Sequence, residues 1–269
     1  MKNILLPTDF SENAQKAIKY AVSLFAKEPC QFYLLHAYYN IPSSPGNKFD
    51  AEKELNALVN DVSSRYINDL HTFEGVLLVD NPLNAINTAI TDKEIDFVFM
   101  GTKGASGLRT VFLGSNTAYV IKHIDTCPIV AVPALYDHGV PEEIAFANDF
   151  KKEVDPRELN PLIKIAKLWD SEITVVHIDA EEKLSDMQKL NRALLRNSFK
   201  NITHRFAMET MDLSVSSTIR RMEIEHKTIG MVAMLKNKHG FIEKLMREPV
   251  IRNVTFTTEV PFLVLPSLD

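Results

Sequence analysis

The segment Ile95-Asp-Phe-Val-Phe-Met100, followed at once by Gly101-Thr-Lys-Gly104, decides the fold. Its apolar run is typical of a strand that is buried on both faces of a parallel sheet. Nine residues separate Gly104 from the pair Gly114-Ser115. The sequence Asn116-Thr-Ala-Tyr-Val-Ile-Lys122 then predicts a helix. A strand, a glycine-containing loop and a helix in this order indicate an α/β fold.

The glycine loop has two interpretations. Glycine lets the backbone turn tightly and approach a ligand closely, because no Cβ is in the way. The free N–H groups of such a loop and of the following helix favour an anion, which predicts a cradle for nucleotide phosphates. A simple strand-to-helix connection explains Gly101 and Gly104 without any ligand. The second pair, Gly114-Ser115, lies at the start of the next helix and favours the cradle.

Length and composition exclude several classes of protein. The 269 residues, 45% of them apolar, suit two domains, each of roughly 130 residues. The net charge of −5, with no cluster of Lys and Arg, argues against binding nucleic acid. No stretch is apolar for long enough to cross a bilayer, so no membrane is expected. The short apolar run at the N-terminus is followed by Asp9 and Glu12, which is unlike a signal peptide.

The two cysteines, Cys30 and Cys127, are far apart and lack the C-x-x-C spacing of zinc and redox sites. Each lies beside a proline at the edge of an expected strand. We therefore expect packed thiols in a reducing compartment, and the cytoplasm fits best.

Strand-like and helix-like segments alternate through the first half of the chain. Ser11 is expected to cap the first helix, and Pro82 begins a later one. Such alternation predicts a parallel sheet with helices on both faces. The expected strands lie at residues 2–8, 31–39, 73–79, 97–100 and 128–133.

The second half repeats the order of the first. Ile144-Ala-Phe-Ala147 echoes Ile4-Leu-Leu-Pro7, and the pair Asp149-Phe150 echoes Asp9-Phe10. His177 coincides with His36, and both are expected to pack in the structure rather than to catalyse. Residues 97–133 align without a gap to residues 230–266. We therefore predict two copies of one α/β domain, at residues 1–138 and 139–269. The other histidines are expected at the surface or at helix ends: His71, His123, His138 and His226.

These motifs resemble the universal stress protein family. The likeness is carried by the opening Ile4-Leu-Leu-Pro-Thr-Asp-Phe-Ser11, the closing Cys127-Pro-Ile-Val-Ala-Val-Pro133 and the G-x2-G-x9-G-[ST] pattern between them. The repeated chain looks like the tandem form of the family. The resemblance implies a five-stranded, Rossmann-like parallel sheet of the adenine nucleotide alpha hydrolase type, with strand order 3-2-1-4-5. It also implies pairing of two domains through their fifth strands, within one chain or in a homodimer. The implied ligand is ATP, often with Mg²⁺ or Mn²⁺.

The resemblance also implies a set of site residues, all at the carboxyl ends of strands or in the loops beyond them, where open parallel sheets bind ligands. On the ribose and adenine side it implies Pro7, Thr8, Asp9 and the backbone of Ala37. Around the ribose and phosphates it implies Met100, Gly101, Lys103 and Gly104, and for the phosphate tail Gly114, Ser115, Asn116 and Thr117.

Three of the charged residues there have alternative interpretations. Asp9 would repel phosphates, so it suits the sugar, the adenine or a metal ion, and together with Ser11 it also suits simple capping of the first helix. Lys103 and Arg109 are either contacts of a triphosphate or solvated charges of the loop.

The second copy departs from the pattern. The gapless alignment places Met234, Asn237, Arg247 and Glu248 against Gly101, Gly104, Gly114 and Ser115. Glu248 would put a negative charge where phosphate binds, and Pro249 lacks a donor N–H. We therefore expect this copy to have a structural or partner-binding role without nucleotide.

The function expected first is a cytoplasmic stress-response protein that senses or stores ATP in its first domain and has a regulatory role. The alternative is a non-catalytic interaction module with an unknown protein partner, which would use residues 137–143 or an acidic helix at residues 181–186. An enzyme is the third hypothesis. The chain lacks a Walker-type Gly-Lys-Ser/Thr loop and any catalytic triad that sequence can place, so at most slow ATP hydrolysis is expected.

Overall fold

A computed structural model of the chain describes residues 1–38, 48–102, 114–179, 183–236 and 258–268. The described residues form two units, one before Leu135 and one from Leu135 onwards. Several of the residues discussed above lie outside the described ranges: Lys103, Gly104, Arg109, Glu181, Glu182, Asn237, Arg247, Glu248 and Pro249.

The first unit is an open parallel sheet covered by helices. Its described strands are β1 (Lys2–Pro7), β2 (Cys30–Ala37), β3 (His71–Leu78), β4 (Phe97–Gly101) and β5 (Ile129–Val132). Its described helices are α1 (Glu12–Leu24), α2 (Lys48–Arg65), α3 (Pro82–Asp92) and α4 (Ser115–His123). All strand pairs are parallel, in the order β3-β2-β1-β4-β5. The predicted order 3-2-1-4-5 is confirmed in this unit.

The central strand β1 sets the register of the first sheet. Ile4 lies opposite Phe32 of β2 and Phe97 of β4, and these three side chains are almost completely buried. As predicted, Ser11 caps α1 by accepting a hydrogen bond from the Ala14 N–H. Because caps and buried strands follow local sequence patterns, this unit agrees closely with the expectation.

The second unit has the same topology. Its described strands are β6 (Glu143–Ala147), β7 (Glu172–Asp179), β8 (His204–Thr210), β9 (Ile229–Leu235) and β10 (Phe262–Leu265). Its described α-helices are α5 (Asn160–Trp169), α6 (Asp186–Ser198) and α7 (Val215–Glu225). The order is β10-β9-β6-β7-β8, and every pair is parallel. If β6 to β10 are numbered 1 to 5 within the unit, the order read from β8 is 3-2-1-4-5. Asp155 caps the turn that begins at Pro156 and leads into α5.

The acidic segment before α6 does not form the expected helix. α6 begins at Asp186, with Ser185 as its cap, and residues 183–185 are not helical. Glu143, which the interaction hypothesis placed on a surface, is buried instead. Its carboxylate accepts hydrogen bonds from Thr174 and Thr228, each at 2.6 Å, and pairs with Arg205 at 2.6 Å.

The prediction that His71 lies at the surface or a helix end is wrong. It begins β3 and is buried, with Nε2 3.1 Å from the carbonyl oxygen of Phe25 and its ring 4.9 Å from that of Phe32. The strand starts earlier than predicted, which brings His71 into the sheet opposite Cys30. Both cysteines are free and buried, as expected.

The strand registers correct the alignment of the two copies. Ile4 pairs with Phe97, whereas Ile144 pairs with Met231, and Gly230 is left over as a bulge between two paired positions. The counterpart of Phe97 is therefore Met231. Counting along the strand, the counterpart of Gly101 is Leu235 and not Met234. A bulge in one strand is invisible to a gapless comparison of apolar residues.

None of the helices in the described ranges is both long enough and apolar enough to span a membrane.

The bulge at Gly230 generates the first prediction. A Cβ on Gly230 would lie 2.7 Å from the Cα of Pro141, whereas a Cβ on Gly139 would have no neighbour within 4 Å. We expect Gly230→Ala to lower the free energy of unfolding by about 1–3 kcal/mol. The control Gly139→Ala should change it by less than about 0.5 kcal/mol. Urea unfolding measures both, and equal midpoints for the two variants would contradict the bulge.

Candidate functional site

The carboxyl ends of β1, β2 and β4 and the start of α4 come together at one edge of the first sheet. The contacts that join them are the Thr8 N–H to the Leu35 carbonyl, at 2.8 Å, and the Thr117 hydroxyl to the Gly101 carbonyl, at 2.7 Å. The predicted site residues that lie at this edge within the described ranges are Pro7, Thr8, Asp9, Ala37, Met100, Gly101, Gly114, Ser115, Asn116 and Thr117.

A tight turn follows β1. Phe10 adopts a left-handed backbone conformation with φ of 62°, which is uncommon for a bulky residue. Its N–H donates to Thr8 Oγ1 at 3.0 Å, and its ring lies 4.4 Å from the His36 ring. His36 Nδ1 lies 2.9 Å from the Thr8 carbonyl oxygen. The polar groups of Thr8 are therefore engaged in the turn, while the Asp9 side chain is exposed.

Asp9 has a structural role in the same turn. Its Oδ1 accepts a hydrogen bond from the Ser11 N–H at 3.1 Å, directly before the capped start of α1. Ser11 is the cap of α1, and Asp9 supports the turn that leads into it. The exposed carboxylate still has oxygen lone pairs for a further donor, because a carboxylate accepts about four hydrogen bonds.

The second unit repeats this turn. Phe150 has φ of 55°, and its N–H donates to Asn148 Oδ1 at 2.7 Å. Its ring stacks on that of His177 at 5.0 Å, and His177 Nδ1 lies 3.2 Å from the Asn148 carbonyl oxygen. The prediction that His36 and His177 pack in the structure is confirmed, because both hold the same turn.

Gly101 is needed for the packing of α1 against the end of β4. A Cβ there would lie 2.2 Å from Asn13 Nδ2 and 2.8 Å from the Asn13 carbonyl oxygen. The sequence predicted close approach of a ligand at this glycine. The structure supplies a second reason, which is close approach of a helix. Asn13 gave no signal in the sequence, because its neighbour is remote along the chain.

The start of α4 has no side-chain cap. Gly114 occupies the cap position, and its own N–H donates to the Thr102 carbonyl. In contrast, α1, α3, α6 and α7 are each capped by a serine or asparagine side chain. Ser115 and Asn116 are exposed, and Thr117 is buried by its bond to Gly101. The first-turn N–H groups of α4 are therefore left without a side-chain acceptor at its cap position.

Thr102 is a further residue of this edge that sequence reasoning missed. It is 2% exposed, and its hydroxyl has no hydrogen-bond partner in the part of the chain that the structure describes. A buried hydroxyl normally finds a partner, so the Thr102 hydroxyl is an exception at this edge of the sheet.

The corresponding edge of the second unit differs at the glycine position. Leu235, the counterpart of Gly101 by strand register, is 5% exposed. A leucine side chain therefore fills space at the end of β9, whereas the first unit has no side chain at the corresponding position of β4. Asp149 keeps the contact of Asp9, since its Oδ1 accepts from the Lys151 N–H at 3.1 Å.

Comparison with known proteins agrees with these features. The model of the universal stress protein family matches residues 1–133. Through these residues, the chain belongs to the universal stress protein family. The second unit repeats the topology of the first, so this universal stress protein has the tandem form.

Universal stress proteins of other organisms align with about half of the chain. One from Thermus aquaticus is 27% identical over 135 residues, which are 49% of this chain and 98% of that protein. One from Methanocaldococcus jannaschii is 27% identical over 144 residues, covering 49% of this chain and 81% of that protein.

A solved universal stress protein from Archaeoglobus fulgidus matches the fold over nearly the whole chain. The match covers 98% of this chain and 96% of that one, with a TM-score of 0.69 at 18% identity.

The contact between Asn13 and Gly101 generates the second prediction for this universal stress protein. Gly101→Ala should lower the free energy of unfolding by about 1–3 kcal/mol, with or without any ligand, because the new Cβ meets α1. In an Asn13→Ala background the loss should be smaller, because two of the three closest atoms belong to the Asn13 side chain. A double-mutant cycle by urea unfolding measures this coupling, and additive losses would contradict the contact.

Proposed function

We propose that the first unit binds ATP at the carboxyl edge of its sheet and that the protein has a regulatory or sensing role in the stress response. The observation that carries the proposal is the start of α4, which lacks a side-chain cap and presents the exposed Ser115 and Asn116 beside the ends of β1 and β4. A helix start of this kind suits a phosphate group.

The electrostatics of the helix support phosphate over a neutral ligand. Aligned peptide dipoles leave a partial positive charge at the helix start, and no acidic side chain lies in the first turn of α4. A phosphate oxygen would accept from the first-turn N–H groups as a capping side chain does in α1, α3, α6 and α7. Lys103 and Arg109 follow β4 directly in the sequence and are proposed to add positive charge.

The ribose and adenine are proposed to lie toward β1 and β2. Asp9 is the carboxylate at this edge, and repulsion of phosphates favours its use on sugar hydroxyl groups. Ala37 ends β2 and is half-buried, so its backbone is proposed to meet the adenine ring. Mg²⁺ or Mn²⁺ would arrive with the nucleotide, held mostly by its phosphates and by water. Within the described ranges no three His, Cys, Asp or Glu side chains gather as a metal site.

A regulatory role is proposed rather than efficient catalysis. His36, the histidine closest to this edge in the sequence pattern, is engaged by Thr8 and Phe10. These contacts give His36 a structural role, and the sequence has no Walker-type Gly-Lys-Ser/Thr loop. We therefore propose at most slow ATP hydrolysis. A cytoplasmic location is part of the proposal, and the two cysteines, which are free and buried, support it. Burial also raises the pKa of the Cys127 thiol to about 12.

The second unit is proposed to have lost nucleotide binding and to serve as a structural or partner-binding domain. Leu235 carries side-chain atoms at the position where Gly101 has none. One observation favours the alternative of a protein-interaction module. Met187, Leu190 and Leu194 form an exposed apolar stripe on α6, being 61%, 55% and 41% exposed. A protein partner captured equally with and without ATP would favour this alternative.

The start of α4 generates the third prediction. Ser115→Glu should weaken Mg-ATP binding by at least about tenfold, or about 1.4 kcal/mol, because a carboxylate would face the phosphates. Folding should be unaffected, since an acidic residue in the first turn favours a helix by about 0.3–1 kcal/mol. In the neutral control Ser115→Gln the new side chain has about the size of glutamate but no charge. This variant should bind Mg-ATP with an affinity within a few-fold of that of the wild type.

Isothermal titration calorimetry measures all three proteins, and thermal melting confirms that they fold. The wild type should bind one ATP per chain. No binding at millimolar Mg-ATP, two equal sites, or equal affinity of the glutamate and glutamine variants would each contradict the proposed site.

A further inference from the structure

Glu223 is a buried acidic residue that plays no part in the proposed nucleotide site. It lies on α7 and is 9% exposed. The floor of the small cavity beside it is apolar and comes from β6, β7 and β9. The lining residues on these strands are Ala145, Ala147, Val176, Ile178, Ile229 and Val232. An ionised carboxylate in such surroundings is costly, so its protonation state needs an explanation.

The carboxyl group holds the segment that leads into β10. Thr258 Oγ1 lies 2.6 Å from Glu223 Oε1, and the Glu259 N–H donates to Oε2 at 2.9 Å. The same Thr258 Oγ1 lies 2.7 Å from the Val260 carbonyl oxygen and accepts from the Val260 N–H at 3.2 Å. Three groups thus surround one buried hydroxyl.

Counting hydrogens around this hydroxyl gives the charge of Glu223. A threonine hydroxyl has one hydrogen to donate. If Glu223 were ionised, both short O···O contacts of Thr258 would need that single hydrogen, and one would bring two lone pairs together. If Glu223 is protonated, it donates to Thr258, and Thr258 donates to the Val260 carbonyl. Only the neutral acid satisfies every short contact.

The charged groups that face Glu223 do not oppose this assignment. Arg220, one turn earlier on α7, pairs with Glu259 at 3.0 Å, so its charge is shared with another carboxylate. Burial raises the pKa of Glu223 to about 7, and the charge of Glu259 adds to the rise. The hydrogen bonds from Glu259 and Thr258 and the charge of Arg220 lower it in part.

Glu143 of the same unit shows the opposite arrangement. Burial would raise its pKa, but hydrogen bonds from Thr174 and Thr228 and the charge of Arg205 outweigh burial and hold the pKa below its usual value. Glu143 is therefore ionised. Among the described residues, Arg205 pairs directly with Glu143, whereas Arg220 pairs with Glu259, which agrees with the different charges of the two glutamates.

We propose that Glu223 is a proton-operated clasp, whose neutral carboxyl group fixes Thr258–Val260 against α7 and whose ionisation loosens this segment. The segment carries the chain into β10, which pairs with β9. On ionisation one short contact of Thr258 loses its hydrogen, and a charge buried beside an apolar cavity draws in water. The clasp is tight in acid and weakest at and above neutral pH.

The direction of the pH effect follows from proton binding. An unfolded or opened Glu223 has an ordinary pKa of about 4.3, and the closed clasp binds its proton more tightly. Between these two pKa values the closed state holds a proton that the open state has released. Raising the pH therefore favours the open state until the clasp itself ionises, and has no further effect beyond that point.

The test compares the full-length wild type with Glu223→Gln, in which a neutral amide replaces the protonated acid. Between pH 5 and pH 7 the urea midpoint of the wild type should fall relative to that of the variant, and the difference should then stay constant to pH 8.5. The control Glu153→Gln removes an exposed carboxylate of the same unit and should follow the wild type at every pH.

Amide hydrogen exchange gives a local measurement at Val260, whose N–H donates to Thr258. Its protection factor in the wild type should fall by about tenfold per pH unit up to neutrality and then level off, whereas that of Glu223→Gln should stay flat. A constant difference between the two proteins from pH 5 to pH 8.5 would overturn the proposal. A wild-type midpoint that rises relative to that of Glu223→Gln between pH 5 and pH 7 would also overturn it, since it would show that the ionised form is the stabilising one.

Discussion

The left-handed turn after the central strand is the constraint on which each unit depends. Phe10 and Phe150 both adopt it, although the conformation costs about 1–2 kcal/mol in a residue with a Cβ. In each unit a histidine of the neighbouring strand packs its ring against the phenylalanine ring and contacts the carbonyl group two residues before that phenylalanine. These contacts offset the strain and fix the direction in which the chain leaves the sheet.

In the first unit the effect of this turn extends to the candidate site. The turn directs α1 so that Asn13 lies against the end of β4, where a side chain cannot be accommodated. The Gly101 carbonyl group then accepts a hydrogen bond from the Thr117 hydroxyl. This hydrogen bond fixes the start of α4. The proposed phosphate site is thus the last member of a series of contacts that begins at β1. The second unit keeps the turn but has Leu235 at the end of β9, so the turn is a property of the fold and is separable from the ligand.

Features with a local pattern could be predicted from the sequence. Buried parallel strands appear as apolar runs, and caps such as Ser11 and Asp155 lie within a few residues of the N–H groups that they satisfy. Features that depend on remote contacts could not. The burial of His71 depends on a carbonyl group of Phe25, and the role of Asn13 depends on Gly101. The bulge at Gly230 changes the register by one residue while leaving the apolar pattern intact, so a gapless alignment concealed it.

The charge of a buried carboxyl group is the property furthest from what a sequence can give. Glu143 and Glu223 are the same residue type in the same unit, and both lie within hydrogen-bond distance of threonine hydroxyls near the amino ends of strands. Arg205 reaches Glu143 directly from β8, whereas Arg220 is engaged by Glu259. Arg220 lies near Glu223 in the sequence while Arg205 lies 62 residues from Glu143. Only the pairing seen in three dimensions therefore separates an ion pair from a group that titrates near neutral pH. The fixed charge holds the starts of β6, β7 and β8 together at any physiological pH, and the titrating group leaves the approach to β10 sensitive to protons.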